Sequence, residues 1–376
     1  MKSTISQSEL EELSYKHQIG SITPAEKRLL DEWYGDHDDS TFYHGDKQKI
    51  VQQRIWKNIH YAVGEKRASR LWPKMVAAAC IVLVSGLAIY FSVRTRMPKE
   101  AVFTGTLKDI NPGGNKAILI LSDGRRIDLT SLNSGNIAYQ SGTAIKKLKN
   151  GTLEYNIAGA DRTDAIVSYN TIETPAGGQY AVILPDGSKI WLNSGSALRY
   201  PVSFDGEKNR KVELTGEGYF EIAKDPNHPF IVSSGTQKIT VLGTHFNVNS
   251  YTDEPGVSTS LFEGAISVSN GTYIKKLEPG ERSVNNGGSI EISKVNLNQD
   301  IAWKNGYFEF QETDLKAVMR QLARWYGLSV SYAGKMPDKR FTGKIYRNLN
   351  LSSALKILSY FEVRFTVSNK NIYIEN

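Results

Sequence analysis

The sequence predicts a multi-domain protein. It has a small N-terminal α-helical domain, one transmembrane helix, an all-β domain of solenoid- or sandwich-like form and a C-terminal α+β domain. Three observations carry this. Residues 75–93 hold 19 consecutive positions without a charge. From about residue 100 to 300 the pattern alternates with period two and turn signals interrupt it every 8–12 residues. The last stretch, 305–376, switches between strand and helix periodicity.

The apolar run, Met75 to Val93, reads MVAAACIVLVSGLAIYFSV. As a helix it would span about 28 Å, close to the ~30 Å hydrocarbon core. Trp72 and Tyr90 suit interfacial anchors, and Lys74 and Arg94 bracket the run. Some 70 polar residues precede it, so it does not read as a cleaved signal peptide. Within 17 residues on each side there are four basic residues, so the positive-inside rule does not orient the segment. A short head without a signal peptide favours an internal N-terminus. The single cysteine, Cys80, lies inside the run, which excludes a disulfide framework and a cysteine-based metal site. The net charge of +7 is dispersed, and no basic cluster marks direct nucleic-acid binding.

The head, residues 1–70, reads as three helices. Leu10, Leu13 and His17 mark the first, which stops at Gly20. Thr23-Pro24-Ala25-Glu26 starts the second: Thr23 caps, Pro24 suits the first helical position and Glu26 completes a capping box. Asp46 can cap the third, which carries Ile50, Val51, Ile55, Trp56 and Ile59. A unit this small is marginal alone. Such a unit either docks on something or is loosely folded: Trp33 and Trp56 fill its own core, or Leu29, Leu30, Trp33, Ile55 and Trp56 form an apolar face that docks on a partner. Asp36-His37-Asp38-Asp39 with His44 and Asp46 lacks regular ligand spacing, and no metal is expected there.

The body, residues 100–300, contains an internal repeat. Residues 112–131 align without gaps to 175–194 at an offset of 63, with nine of 20 positions identical. Asp123-Gly124 and Asp186-Gly187 occupy the same place in each copy and predict two hairpins with type I′ turns. Such a duplication suits a stacked β architecture. Further strands are expected at 210–215, 219–222, 230–232, 238–242, 245–249, 258–262 and 265–268, with a last pair about Pro279-Gly280. Enzymatic constellations are scarce. His228 and His245 sit in no ligand or nucleophile motif. Glu213, Glu217 and Glu221 could in principle pair for glycoside hydrolysis. They read instead as exposed strand carboxylates, with Gly216 and Gly218 as turn residues. No cofactor is implied.

The tail, 305–376, reads as β-α-β-β-α-β-β. Thr313 or Asp314 caps a helix carrying Leu315, Val318, Met319, Leu322, Trp325 and Tyr326, stopped by Gly327. A second helix is expected over 352–360.

These motifs in succession, LPDGSKIWLNSGSALRYP (184–201), RKVELTGEGYFEIAKDPNHPFIV (210–232), VLGTHFNV (241–248), LFEGAISV (261–268) and LEPGE (277–281), resemble the FecR family of membrane-anchored anti-sigma factors. The head's ITPAEKRLLDEWY (22–34) is similar to that family's too, and the tail resembles the short domain of secretins and of signalling TonB-dependent transporters. The resemblance implies a cytoplasmic head that binds an extracytoplasmic-function sigma factor. It implies a periplasmic body that receives a signal from an outer-membrane TonB-dependent transporter, with periplasmic and intramembrane proteases completing release. The chain would then sit in the inner membrane with its N-terminus in the cytoplasm, controlling nutrient-uptake genes. Some relatives cleave themselves between a Gly and a Thr, and Gly243-Thr244 matches that motif. Two other classes stand beside this one, a tethered periplasmic sugar-binding module and an envelope scaffold.

Overall fold

The computed structural model describes residues 23–28, 109–157, 167–333, 338–368 and 370–375. Among these, no helix is long and apolar enough to cross a membrane. The apolar run 75–93 lies outside the described residues, as does the head apart from 23–28. That short piece is a helical turn closed as the sequence predicts. Thr23 N–H donates to Glu26 Oε2 at 2.9 Å, and Glu26 N–H donates to Thr23 Oγ1 at 3.3 Å.

Among the described residues the body has nineteen strands. The first ten are β1 (Gly114–Asn115), β2 (Ile118–Ile120), β3 (Arg126–Asp128), β4 (Gly135–Gln140), β5 (Thr143–Lys147), β6 (Leu153–Ile157), β7 (Tyr169–Glu173), β8 (Gly178–Ile183), β9 (Lys189–Leu192) and β10 (Ala197–Pro201). They are followed by β11 (Arg210–Glu221), β12 (Phe230–Ser234), β13 (Gln237–Val241), β14 (His245–Ser250) and β15 (Val257–Glu263). The last four are β16 (Ile266–Ser269), β17 (Ile274–Leu277), β18 (Glu281–Asn285) and β19 (Ile290–Lys294).

All belong to one continuous sheet that curls over onto itself, giving two facing ladders. The first runs β3-β2-β7-β10-β11-β12-β13-β16-β17. The second runs β4-β5-β6-β8-β9-β11-β14-β15-β18-β19. Period-two alternation sends one set of side chains from each ladder into a shared core: Leu119, Ile172, Leu198 and Val232 from the first meet Val182, Ile190, Phe220 and Phe246 from the second. Tyr155 of the second ladder and Tyr200 of the first meet across it, hydroxyl to hydroxyl at 2.9 Å.

Strand β11 belongs to both ladders, which corrects the expectation of strand, turn and strand here. As far as Thr215 it pairs with β10, and from Gly216 onward it pairs with β14. Gly216 has φ +83°, and a Cβ there would lie 2.5 Å from Ser196 Oγ. It is a mid-strand corner, of the kind by which strands change sheets. Gly218 is also no turn: it lies in the strand, and a Cβ would press on the Phe220 ring at 3.1 Å, where Phe220 stacks on Phe246.

The duplicated hairpins form, one in each ladder: β2–β3 and β8–β9. Their turns are not type I′, because only the glycines, Gly124 and Gly187, have positive φ. Gly124 N–H donates to the Leu121 carbonyl and Leu121 N–H to the Arg125 carbonyl, each at 2.9 Å. Those bonds define a three-residue loop with a glycine bulge. The aspartate has a different task from the one the dipeptide suggested. Its Oδ1 accepts the amide two residues on, Arg125 from Asp123 and Ser188 from Asp186, at 3.0 Å in both copies. Nor do the strands about Pro279-Gly280 pair with each other. β17 pairs with β16 and β18 with β15, in opposite ladders.

A short helix, α1 (Asn298–Ile301), leads to the tail. There the order is β20 (Tyr307–Asp314), α2 (Leu315–Tyr326), β21 (Ser329–Tyr332), β22 (Arg340–Tyr346), α3 (Leu351–Ser359), β23 (Arg364–Ser368) and β24 (Asn371–Glu375). This is the predicted succession. Asp314 caps α2 by accepting from Ala317 N–H at 2.9 Å, Gly327 ends it with φ +67°, and all six predicted apolar residues are buried. β20 pairs with β22, and β21-β24-β23 make a second small sheet. The tail has its own core, including Val318, Leu322, Leu355 and Ile372.

Substituting Gly216 by Ala should destabilise the body by about 1–3 kcal/mol, because the backbone conformation is unfavourable for any side chain and Ser196 occupies the space. Urea denaturation followed by tryptophan fluorescence would measure this, and Gly235→Ala, at a positive φ but with open space around it, serves as the comparison.

Candidate functional site at the seam between body and tail

The tail meets the body beside Glu217 of the second ladder, and hydrogen bonds and ion pairs cross that seam. Alternation along β11 turns Phe220 inward and puts Glu217 on the other face with Tyr219 and Glu221. Glu217 is buried there, with its two oxygens accepting from Asn193 Nδ2 at 2.8 Å and Asn247 Nδ2 at 3.0 Å. Burial pushes its carboxyl above the usual range, against the pull of the two amides and of Arg324. The expectation of exposed strand carboxylates therefore holds for Glu213, which pairs with Arg199, and fails for Glu217. Glu221 is half-buried against Lys304 at 3.5 Å. Lys304 also sits over the rings of Trp191 and Tyr219, at 4.3 and 4.5 Å, so that aromatic row is not an open platform.

From the tail comes Arg347, only 3% exposed. Its Nη2 donates to Asn193 Oδ1 at 3.0 Å, and its guanidinium lies 3.7 Å from the centre of the Trp325 ring. Burial lowers its pKa to about 10, which leaves it charged at neutral pH. Asn193 thus joins a buried carboxylate of the body to a buried guanidinium of the tail, its amide donating to one and its carbonyl accepting from the other. Beside this relay is a cavity of about 130 Å³, room for several water molecules, lined by Ser194, Glu217, Trp303 and Arg347 among others.

A second cluster lies at the same seam. On α2, Arg320 and Arg324 stand one turn apart. Arg320 Nη2 reaches Glu254 Oε2 at 2.6 Å, Arg324 Nη1 reaches Asp253 Oδ1 at 2.7 Å, and Arg324 Nη2 also binds Glu254. The Arg324 guanidinium rests on the Tyr251 ring at 4.0 Å, and the Tyr251 hydroxyl donates to the Ser194 carbonyl at 2.6 Å. Partly buried pairs like these are far less screened than surface ones.

The Gly243-Thr244 pair lies in the bend before β14. Gly243 has φ +150°, and a Cβ would meet Lys224 Cα at 2.7 Å. Thr244 is buried, and its hydroxyl donates to the Ala265 carbonyl at 3.1 Å. Gly264, which sequence reasoning passed over, backs the pair: a Cβ there would be 2.9 Å from both the Gly243 carbonyl oxygen and Thr244 Oγ1. His245, which follows Thr244, pairs with Glu263 at 3.0 Å. Among the described residues no group of three or more His, Cys, Asp or Glu side chains is placed to hold a metal ion. The head candidates Leu29, Leu30, Trp33, Ile55 and Trp56 lie outside the described residues.

Comparison with known proteins places these two parts. The family model described as FecR protein matches residues 170–267, and the one described as FecR, C-terminal matches residues 307–374. The chain thus carries a FecR domain and a FecR C-terminal domain. The first match takes in β7 to β15 with the β11 corner, and the second takes in the tail from β20 to β24. A candidate anti-sigma factor from Parabacteroides distasonis ATCC 8503, solved at 1.65 Å, is 28% identical with a TM-score of 0.51, over 55% of this chain and 98% of that chain. A second crystal structure under the same description, at 2.50 Å, agrees, with 99% of that chain covered. No curated protein matches the chain.

Asn193, Arg347 and the Arg320–Arg324 pair were absent from the sequence reading. Asn193 follows the second hairpin, but nothing local links it to a residue in the tail. The seam makes a pH prediction. Glu217 has a folded pKa above its unfolded value, so the stability it gives is full below the unfolded value of about 4.5 and is lost as pH rises through the folded one. Glu217→Gln, isosteric with the protonated acid, should match the wild type below about pH 4.5 and be the more stable of the two at pH 7. Urea titrations at both pH values would show it, and a constant difference would contradict the assignment.

Proposed function

We propose that this protein is a transmembrane anti-sigma regulator of the FecR family. The observation that carries the reading is the pairing of a FecR domain with a FecR C-terminal domain, together with the likeness to the candidate anti-sigma factor of P. distasonis. On this reading residues 1–70 lie in the cytoplasm and hold an extracytoplasmic-function sigma factor. Met75 to Val93 cross the inner membrane, and body and tail lie in the periplasm. There they receive a signal from the signalling domain of an outer-membrane TonB-dependent transporter, and proteases then free the head. The apolar face of Leu29, Leu30, Trp33, Ile55 and Trp56 is the proposed contact for the sigma factor. A tagged full-length chain extracted from the host in detergent should co-purify with one such sigma factor, and Trp33→Asp should lose it. Recovery of no sigma factor by the wild-type chain would reject the reading.

The same reading includes self-cleavage at Gly243-Thr244. Thr244 Oγ would attack the Gly243 carbonyl carbon and break its bond to the Thr244 nitrogen, which takes the hydroxyl proton; water then hydrolyses the ester. The support is local: a backbone conformation at Gly243 that side chains disfavour, and a hydroxyl packed beside that carbonyl under Gly264. With a tag at each end, the wild type should separate into two fragments and Thr244→Ala should stay whole. Identical fragmentation of both would sink the idea.

A further inference from the structure

The segment that leads into the body, residues 109–116, is held on one side by the body and on the other by the tail. Its first residue completes a helix of the tail. The Asp109 carboxylate accepts from Ser352 N–H at 3.2 Å and from Ser352 Oγ at 2.6 Å. Ser352 is in the first turn of α3, and that helix's own N-cap residue, Asn350, makes no side-chain cap bond. A carboxylate placed there satisfies an orphan amide and meets the positive end of the helix dipole. So α3 takes its cap from a residue 243 positions upstream in sequence.

The contacts continue along the segment. The Ile110 carbonyl accepts from Leu351 N–H at 2.9 Å, and the Ile110 side chain packs on the tail's core. At Gly113 a Cβ would lie 2.7 Å from both the Gly177 carbonyl oxygen and the Trp325 ring, so body and tail close on this backbone from two directions. On the body side Gly114 N–H donates to the Gly177 carbonyl at 2.9 Å, and Lys116 N–H to Gln179 at 3.2 Å. Gly177 N–H in turn donates to the Arg324 carbonyl at 2.8 Å, in the last turn of α2. Both glycines hold the same place in the repeat, just ahead of its hairpins, Gly114 in the first copy and Gly177 in the second.

We propose that the tail is a clasp on this segment: while docked it locks residues 109–116 onto β8, and lifting it frees them. Strand β1 is two residues long and pairs with β8 over two positions, Gly114 with Gly178 and Asn115 with Gln179. A ladder that short holds little on its own. Its security comes from the tail, through the Asp109 cap, the Ile110 contacts and the Trp325 wall, all of which would go together if α2 and α3 moved away. Residues 109–116 also join the body to the sequence that runs back to Met75–Val93, so the clasp sits where movement of the tail would reach that side of the chain. It stands on these contacts alone and is independent of the regulator reading.

Hydrogen exchange read by mass spectrometry on peptides covering 109–116, with the full chain in detergent micelles, tests the clasp. The wild type is compared with a chain ending at residue 304 and with Asp109→Ala. Gly114 and Lys116 donate to the body, so their exchange responds to loss of the tail only if the tail holds the segment. Removing the tail should speed their exchange about ten-fold or more, and Asp109→Ala about five-fold, the value of a helix cap, with peptides around Phe220 and Val232 unchanged. Unchanged exchange at 109–116 without the tail overturns the proposal. Should the shortened chain also lose protection around Phe220, Asp109→Ala decides: wild-type exchange at 109–116 in that variant overturns the clasp.

Discussion

The architecture depends on one strand changing partners. β11 pairs with β10 in the first ladder as far as Thr215 and with β9 and β14 in the second from Gly216 to Glu221, so a single twelve-residue strand joins the two halves of the curled sheet. The corner requires a residue without a side chain, since Ser196 fills the space beside Gly216. Once the corner is fixed, alternation fixes the rest: Val212 and Leu214 face the core before it, Phe220 faces the core after it, and Glu217 is turned to the opposite face. A one-residue slip in either half would reverse that assignment and put Glu217 into the apolar core.

Turning Glu217 outward places a carboxylate where the tail docks, and this gives the seam its polar character. Burying one charge from each side would be costly if each stood alone. Here both are solvated by a shared asparagine, with Asn193 donating to Glu217 and accepting from Arg347. The arginine pair on α2 adds charges matched to Asp253 and Glu254. A seam built this way is specific in register, because a shifted tail would strand several buried polar groups at once. It differs from the apolar cores on either side, which tolerate rearrangement of similar volumes more readily.

The tail's helices are completed by groups outside the tail. Asp109 caps the start of α3, and Gly177 takes up a carbonyl at the end of α2. These bonds tie the tail's own secondary structure to its docking, and tie both to the repeat that supplies Gly113, Gly114 and Gly177. The repeat thus does more than stack strands. Its two glycine elbows meet each other and the tail at one point, beside Trp325.

Much of this was legible in the residues themselves. The Thr23–Glu26 capping box, the paired Asp-Gly hairpins, the strand order of the tail and the buried stripe of α2 all follow from local chemistry, because caps, turns and periodicity act over a few residues. The Asp-Gly dipeptides showed where hairpins turn but not which turn they make, since Gly124 alone among its neighbours needs positive φ and the aspartate serves the amide two residues on. The strands about Pro279-Gly280 looked like a hairpin, yet they separate into opposite ladders, a choice made by pairing with β16 and β15. Gly216 and Gly218 looked like turn residues because a glycine's pattern is the same in a loop and at a crowded corner. Only the packed neighbours, Ser196 for one and Phe220 for the other, tell the two apart. The burial of Glu217, its link through Asn193 to Arg347 and the capping of α3 by Asp109 join residues far apart in sequence. Such contacts leave no local signature, so the sequence by itself determined the elements, while the tertiary structure decided which of their polar faces are buried against each other.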